Sequence, residues 1–290
     1  MTQISISQAL QKSRSLIGKS TSPKLDVQLL LAEVIRQSNS YLYTWPERAL
    51  TEEQLQRFTA LLQRRIEGEP IAYLLGYQDF WTLRLQVSED TLIPRPDTEL
   101  LVEQALRLLE DGDSRVADLG TGTGAVALSL ASERPHWKVW ACDYVPAAAQ
   151  LAEANRAQHQ LENVQIVTGS WFEPLSGEFA LIVSNPPYIE AEDEHLSCGD
   201  LRFEPRSALV SGSDGLMDVK HIISHAPQYL QLHGWLLLEH GYNQGVAVRQ
   251  LFEDRGFKQV QTVQDLGAND RVTVGQWCRD ANSGSKHVNG

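Results

Sequence analysis

Along residues 1–75 apolar positions recur at helical spacing. In residues 24–37, Val27, Leu30, Leu31, Val34 and Ile35 fall at i, i+3, i+4, i+7 and i+8, one face of a helix. A second helix is announced by Thr51-x-x-Gln54, a capping-box pattern, and continues through Leu55, Phe58, Leu62 and Ile66 until Gly68 and Pro70 stop it. Residues 6–17 carry weaker signals for a third helix. A small helical bundle is the expectation here. The period then changes. In residues 80–87 Trp81, Leu83, Leu85 and Val87 alternate with their neighbours, the pattern of a strand. Leu92-Ile93-Pro94-Arg95-Pro96-Asp97 breaks the chain, and Asp97 is the expected N-cap of a helix over 98–109, with Glu99 in its first turn.

From Arg115 onward, short apolar runs alternate with helical stretches. Strands are expected at 116–119, 139–142, 164–167, 181–183 and 235–239, with helices at 125–132 and 146–159 between them. Two late strands, 259–265 and 271–277, flank Gly267-Ala268-Asn269. Such alternation predicts an α/β domain, a mostly parallel sheet covered by helices on both faces. The expected organisation is therefore a helical domain over 1–75, a β-containing connector over 76–95, an α/β domain over 96–279 and a polar, disordered tail over 280–290.

At 290 residues with 42% apolar and 21% charged side chains, the composition is that of a globular protein able to form two domains. The net charge of −12 argues against a chain whose main task is gripping nucleic-acid phosphates. Residues 1–75 carry net +2 and residues 76–290 net −14, as expected of two modules. No apolar run approaches a membrane span and the N-terminus lacks a signal-peptide pattern, so a cytoplasmic protein is expected. Cys142, Cys198 and Cys278 show neither metal-ligand spacing nor a disulfide framework, and no metal is expected.

Asp118-Leu119-Gly120-Thr121-Gly122-Thr123-Gly124 follows the first strand of the alternating region and opens a helix. Its G-x-G-x-G spacing differs from the dinucleotide pattern G-x-G-x-x-G, and no Gly-Lys-Ser/Thr follows. Taken alone, the loop is also compatible with a turn needed only for strand–helix packing. Asp143, 23 residues after Gly120, ends the next strand, where a carboxylate can accept bonds from ribose hydroxyls; it can equally cap the helix that starts at Pro146. The pair indicates an adenosine-type ligand at the strand C-termini. Acidic Asp118 suits the cation S-adenosylmethionine better than a pyrophosphate. Trp171, after the third strand, stands either near the adenine or in the core.

The fourth strand ends in Asn185-Pro186-Pro187-Tyr188. Two prolines fix φ and remove N–H donors, leaving a stiff stretch of carbonyl acceptors, to which Asn185 adds a side-chain oxygen. Acceptors held in one plane suit a planar NH2 group, and Tyr188 offers an aromatic face. That geometry fits methyl transfer to a weakly nucleophilic nitrogen with no dedicated base. Adenine and amide nitrogens both satisfy this description, and strand termination alone is the plainer alternative.

The chain resembles the release-factor glutamine N5-methyltransferases, the PrmC/HemK family of S-adenosylmethionine-dependent enzymes. The resemblance covers nearly the whole sequence: Arg64–Tyr73, Leu92–Glu99 (LIPRPDTE), Asp118–Gly124, Asn185–Tyr188, Arg202-Phe203-Glu204-Pro205 and Asp265–Arg271. Asn185–Tyr188 alone is shared with adenine methyltransferases; the LIPRPDTE stretch is more specific. The resemblance implies a Rossmann-like, seven-stranded methyltransferase sheet behind a small helical domain that recognises the partner. It implies S-adenosyl-L-methionine as cofactor, S-adenosyl-L-homocysteine as product, and the glutamine of the Gly-Gly-Gln motif in class I peptide-chain release factors as substrate. It places Gly120, Thr121, Gly122, Thr123, Gly124, Asp143, Trp171 and Asn185 on the cofactor. It places Asn185, Pro186, Pro187 and Tyr188 on the glutamine, with Asn185, Pro186 and Tyr188 catalytic. A monomer, with no nucleic acid or membrane as partner, is expected. Arg95 and Glu99 are expected either at the cofactor's edge and the domain interface or in an ordinary cap and salt bridge. His195, Glu204 and Glu239 are expected in surface or packing roles.

Overall fold

In the computed structural model, which describes residues 4–278, the chain divides into two units. One comprises the chain up to Gln78 with Val87–Glu89 and Glu194–Glu204; the other comprises Asp79–Gln86, Asp90–Asp193 and the chain from Pro205. Residues 76–95, expected as a separate connector, are thus shared between the two. The expected tail, 280–290, lies outside the described residues.

Five helices build the first unit: α1 (Ile6–Leu10), α2 (Pro23–Ile35), α3 (Asn39–Thr44), α4 (Glu52–Ile66) and α5 (Ile71–Leu75). Local chemistry sets their starts. Ser5 with Gln8, and Thr51 with Gln54, each form a reciprocal capping box that satisfies two orphan N–H groups. The apolar face read in the sequence is the one buried: Val27, Leu30 and Leu31 of α2 pack with Phe58 and Leu62 of α4. Among the ion pairs of this unit, Arg65–Asp26 is buried. The Arg65 guanidinium donates from Nε to Asp26 Oδ2 at 2.7 Å and from Nη1 to the Glu69 carbonyl and Asp200 Oδ1, with both Arg65 and Asp26 buried.

Residues 80–87 do not form one strand. They contribute to a two-stranded sheet of β1 (Tyr77–Phe80) and β2 (Leu83–Gln86). Trp81 turns between them at φ 55°, a left-handed conformation that no continuous strand contains. The helix α6 (Glu99–Leu108) also starts differently from expectation. A single 3-10 turn at Pro96–Thr98 precedes it, and Thr98 stands at its N-cap without a side-chain bond. Asp97 pairs instead with Arg271, Nη2 to Oδ2 at 3.4 Å.

Beyond α6 the alternation is realised as β3 (Arg115–Leu119), α7 (Ala125–Glu133), β4 (Lys138–Asp143), α8 (Pro146–Gln158), β5 (Val164–Thr168) and β6 (Phe179–Ser184). It closes with α9 (Met217–His225), β7 (Leu230–Glu239), α10 (Gly245–Arg255), β8 (Lys258–Gln264) and β9 (Asp270–Gln276). These seven strands, β3 to β9, make one mixed sheet in the order β5-β4-β3-β6-β7-β9-β8. The pairs from β5 to β7 are parallel; β9 runs antiparallel to β7 and β8, because a short turn joins it to β8. Each face of the sheet has its own core, one around Leu101, Leu128 and Trp137, the other around Ile222, Val248 and Phe252. The chain winds outward from β3 to β5 and then returns to β6 on the other side of β3. The crevice beyond the carboxyl ends of β3 and β6 is therefore a topological switch point, where open α/β sheets bind ligands.

Candidate active site

Register sets the site. Leu119 of β3 pairs with Ser184 of β6, and Ser184 pairs with Leu238 of β7. The next residues, Gly120 and Asn185, consequently leave the sheet side by side, while Glu239 follows Leu238 as the last residue of β7. Ser184 Oγ donates to the Leu119 carbonyl at 2.7 Å and locks the first two strands at their ends.

The glycine loop is held from both sides. Gly120, Gly122 and Gly124 take φ of 71°, 55° and 86°. The left-handed backbone favours glycine at each position, and at Gly124 a Cβ would also stand 2.9 Å from the Leu128 side chain. Gly120 and Thr121 donate to the Cys142 carbonyl, each at 2.9 Å. Asp118 is buried, and its Oδ2 accepts from Thr121 Oγ1 at 2.6 Å and from the Ala127 N–H at 3.2 Å. Burial pushes this carboxyl up to about 6, against those two bonds. Asp143 joins loop to strand, taking the Gly122 N–H on Oδ2 and the Val145 N–H on Oδ1, each at 2.9 Å. Asp143 caps the turn before Pro146, and its two oxygens, which take three backbone N–H groups, keep capacity for a further donor. Burial raises its pKa, opposed by the N–H groups of Val145, Gly122 and Tyr144. Cys142 is buried and donates to the Trp171 carbonyl, and burial pushes its thiol up to about 12, which leaves it inert.

A cavity of about 380 Å³ opens beside this loop, within the range of small-molecule sites. Gly120, Thr121, Gly122, Thr123, Asp143, Trp171, Asn185 and Pro187 line it, together with Asp118. Gly124, Pro186 and Tyr188 are not among its lining residues, although all three adjoin it in the chain. Arg95 and Thr98 of the LIPRPDTE stretch form part of its wall. Four lining carboxylates, Asp90, Asp118, Asp143 and Asp218, face a single lining guanidinium, Arg95. That balance suits a cationic ligand and disfavours a pyrophosphate. Acidic lining, a glycine-rich loop and the remaining acceptor capacity of Asp143 together fit S-adenosylmethionine. Among the described residues no group of His, Cys, Asp and Glu could hold a metal ion, and no helix is long and apolar enough to cross a membrane.

Beneath Asn185 lies a polar cluster. Asn185 Nδ2 donates to Thr98 Oγ1 at 3.2 Å. Thr98 and Tyr188 hydrogen-bond the Glu239 carboxyl, which is 1% exposed. Glu239, expected on the surface or in packing, is buried at the end of β7 and does not line the cavity. Thr98 lies in the LIPRPDTE stretch, where the sequence assigns it no role of its own. Glu239 had one usable signal: like Asp143, it is an acid at the carboxyl end of a strand in the alternating region. Burial drives the Tyr188 phenol well above its usual range, with Glu239 adding to the effect. His195 is exposed and Glu204 buried, both in the first unit and outside this cavity. Glu99 serves the β1–β2 turn, its Oε1 accepting the Trp81 N–H at 2.8 Å.

A family model described as the PrmC N-terminal domain matches residues 8–76, and one described as a methyltransferase small domain matches residues 96–212. A solved methyltransferase from Pyrococcus furiosus superposes with a TM-score of 0.53 at 16% identity, over 75% of this chain and 98% of that one. The fold, a mixed α/β sheet with a helical N-terminal region, is consistent with that of the class I methyltransferases. The release factor glutamine methyltransferases of Pseudomonas aeruginosa and Aliivibrio fischeri are 56% and 52% identical to the chain over 264 and 263 residues, covering 91% and 90% of it and 96% and 93% of their own lengths. The chain belongs to the release factor glutamine methyltransferase family.

Proposed function

We propose that this enzyme transfers a methyl group from S-adenosyl-L-methionine to the side-chain amide nitrogen of the glutamine in the Gly-Gly-Gln motif of class I peptide-chain release factors. In doing so it supports translation termination as a monomeric, cytoplasmic protein. One observation carries the reading: Asn185 stands beside the glycine loop in register, with its Nδ2 already committed to Thr98. Its Oδ1 then serves as the acceptor for an incoming amide.

The cofactor supplies a methyl carbon activated by a sulfonium. Gly120–Gly124, Asp143 and Trp171 hold it, Asp143 through its remaining acceptor capacity. The chain's own work falls on the amide. An amide nitrogen is a weak nucleophile because its lone pair is delocalised into the carbonyl. Asn185 Oδ1 and the carbonyls of the stiff Asn185–Pro187 stretch accept both of its N–H bonds, turning the lone pair toward the methyl and stabilising positive charge as it develops. With the cofactor bound, the amide nitrogen would accept its methyl group, leaving a thioether, and would release one N–H proton to water. Buried Tyr188 supports the clamp through its bond to Glu239. The helical first unit recognises the release factor.

The test is incubation with labelled S-adenosylmethionine and either a purified class I release factor or DNA. Label enters the release factor only, and is lost when the Gly-Gly-Gln glutamine is replaced by alanine. Label in DNA alone would overturn the assignment.

A further inference from the structure

Glu239 is a buried carboxyl that the transfer step above does not use directly. It follows Leu238, the register partner of Ser184, which itself precedes Asn185. Its side chain is engaged by Thr98 and Tyr188, while Oε2 has no protein partner among the described residues. A buried carboxylate oxygen left unpaired is costly, and such exceptions call for a functional reason.

We propose that Glu239 is a positioning residue for the methyl transfer: through Thr98 it fixes which end of the Asn185 amide faces the substrate, and it does so only while ionised. The inference rests on the role proposed above for Asn185. A carboxylate only accepts hydrogen bonds, so the single Thr98 proton is committed to Glu239. Thr98 Oγ1 is then left as an acceptor, and Asn185 must present Nδ2 to it, as observed at 3.2 Å. A flipped amide would set Asn185 Oδ1 against the Thr98 oxygen with no proton between them. Once Glu239 is protonated, its O–H can donate to Thr98, and Thr98 can turn its proton to Asn185. Both amide orientations then become permissible, and one of them shows N–H donors to a substrate that also brings N–H donors.

The groups around Glu239 set where this switch operates. Burial dominates and pushes the carboxyl up to about 7, from an ordinary value of 4.5. The bonds from Thr98 and Tyr188 and the charge of Arg271 on β9 oppose burial, and Asp97 adds to it. Arg271 is itself shared between Asp97 and Asp265, at 3.4 and 3.2 Å. Arg95 and Asp97 act on Tyr188 from the stretch before α6. Ionisation of Glu239 therefore falls near neutrality, and turnover should rise with pH through that region.

The orientation can be read without any release factor. In the full-length protein labelled with 15N-asparagine, the Asn185 side-chain NH2 signals, assigned by comparison with Asn185→Ala, should shift across neutrality with a midpoint near that of Glu239. Glu239→Gln, close in size but unable to ionise, should abolish the shift, and Thr98→Val should shrink it. With the release factor present, Glu239→Gln should lower kcat about tenfold or more with KM for S-adenosylmethionine nearly unchanged, and flatten the acid limb of the kcat profile. Glu239→Gln combined with Thr98→Val should be no slower than Thr98→Val alone. Asn185 signals that ignore pH in the parent protein, or that titrate with full amplitude in Thr98→Val, would overturn the proposal, whether or not Glu239→Gln folds. A parent protein whose Asn185 titrates but which leaves the release factor unlabelled would overturn the substrate assignment and leave the relay standing.

Discussion

Asn185 brings no unusual chemistry of its own; its usefulness comes from being held. One N–H bond to Thr98 and two following prolines restrict both its side chain and its backbone. Asn185→Ala should therefore lower kcat by about a hundredfold to a thousandfold, the scale of losing one preorganised group at a developing charge. Cofactor affinity, read by titration calorimetry, should change by less than about threefold, because the binding surface is mostly the glycine loop and Asp143. Gly120→Ala should do the reverse. Its φ of 71° is costly for any residue with a Cβ, so cofactor binding should weaken about tenfold. Wild-type affinity in Gly120→Ala would mean that the loop does not carry the cofactor. At this scale the sequence was informative where residues bear motifs. Gly120, Thr121, Gly122, Thr123, Asp143 and Asn185 line one cavity. The link from Thr98 to Asn185 was not legible, because it is a bond across 87 positions of chain.

Elements follow the same division between local and non-local causes. The capping box at Thr51 and the apolar face of α2 are local, and those two helices stand where the signals put them. Residues 6–17, expected as one helix, form α1 only to Leu10 and then a 3-10 helix over Gln11–Leu16. All seven strands of the large sheet coincide with expected runs to within a few residues, except that β7 starts five residues early, at Leu230. The misses lie where tertiary contacts overrule a local pattern. Alternation over 80–87 looked like one strand, yet Glu99 captures the Trp81 N–H and the chain turns there. Asp97 looked like a cap, yet Arg271 draws it away. Helices α3, α5, α9 and α10 were not anticipated. The Arg65–Asp26 pair was also not legible, since 39 positions separate its members. Arg65→Ala would strand a buried Asp26 carboxylate, and should destabilise the first unit by roughly 3 kcal/mol in chemical unfolding. A loss below about 1 kcal/mol would place this pair with ordinary surface bridges.

For the whole molecule, the site imposes a pH dependence on stability. Glu239 has a folded-state pKa of about 7 against an ordinary 4.5. Between those values the folded chain keeps the proton that the unfolded chain releases, so this group makes stability fall as pH rises. The penalty is absent below the lower value and complete above the upper one. Glu239→Gln should therefore melt higher than the parent protein at alkaline pH, with the gap closing as pH drops through 7 toward 4.5. An equal gap at every pH would contradict a raised Glu239. Taken with the kcat profile, the same ionisation would cost stability while ordering Asn185, a trade that active sites commonly make.

The claim that one glutamine amide is the methyl acceptor is tested most directly by mass spectrometry of a class I release factor after incubation with this enzyme and S-adenosylmethionine. The account predicts a single added methyl group, located on the side-chain nitrogen of the Gly-Gly-Gln glutamine. A methyl group on any other residue, or a release factor that stays unmodified while DNA is methylated, would contradict it.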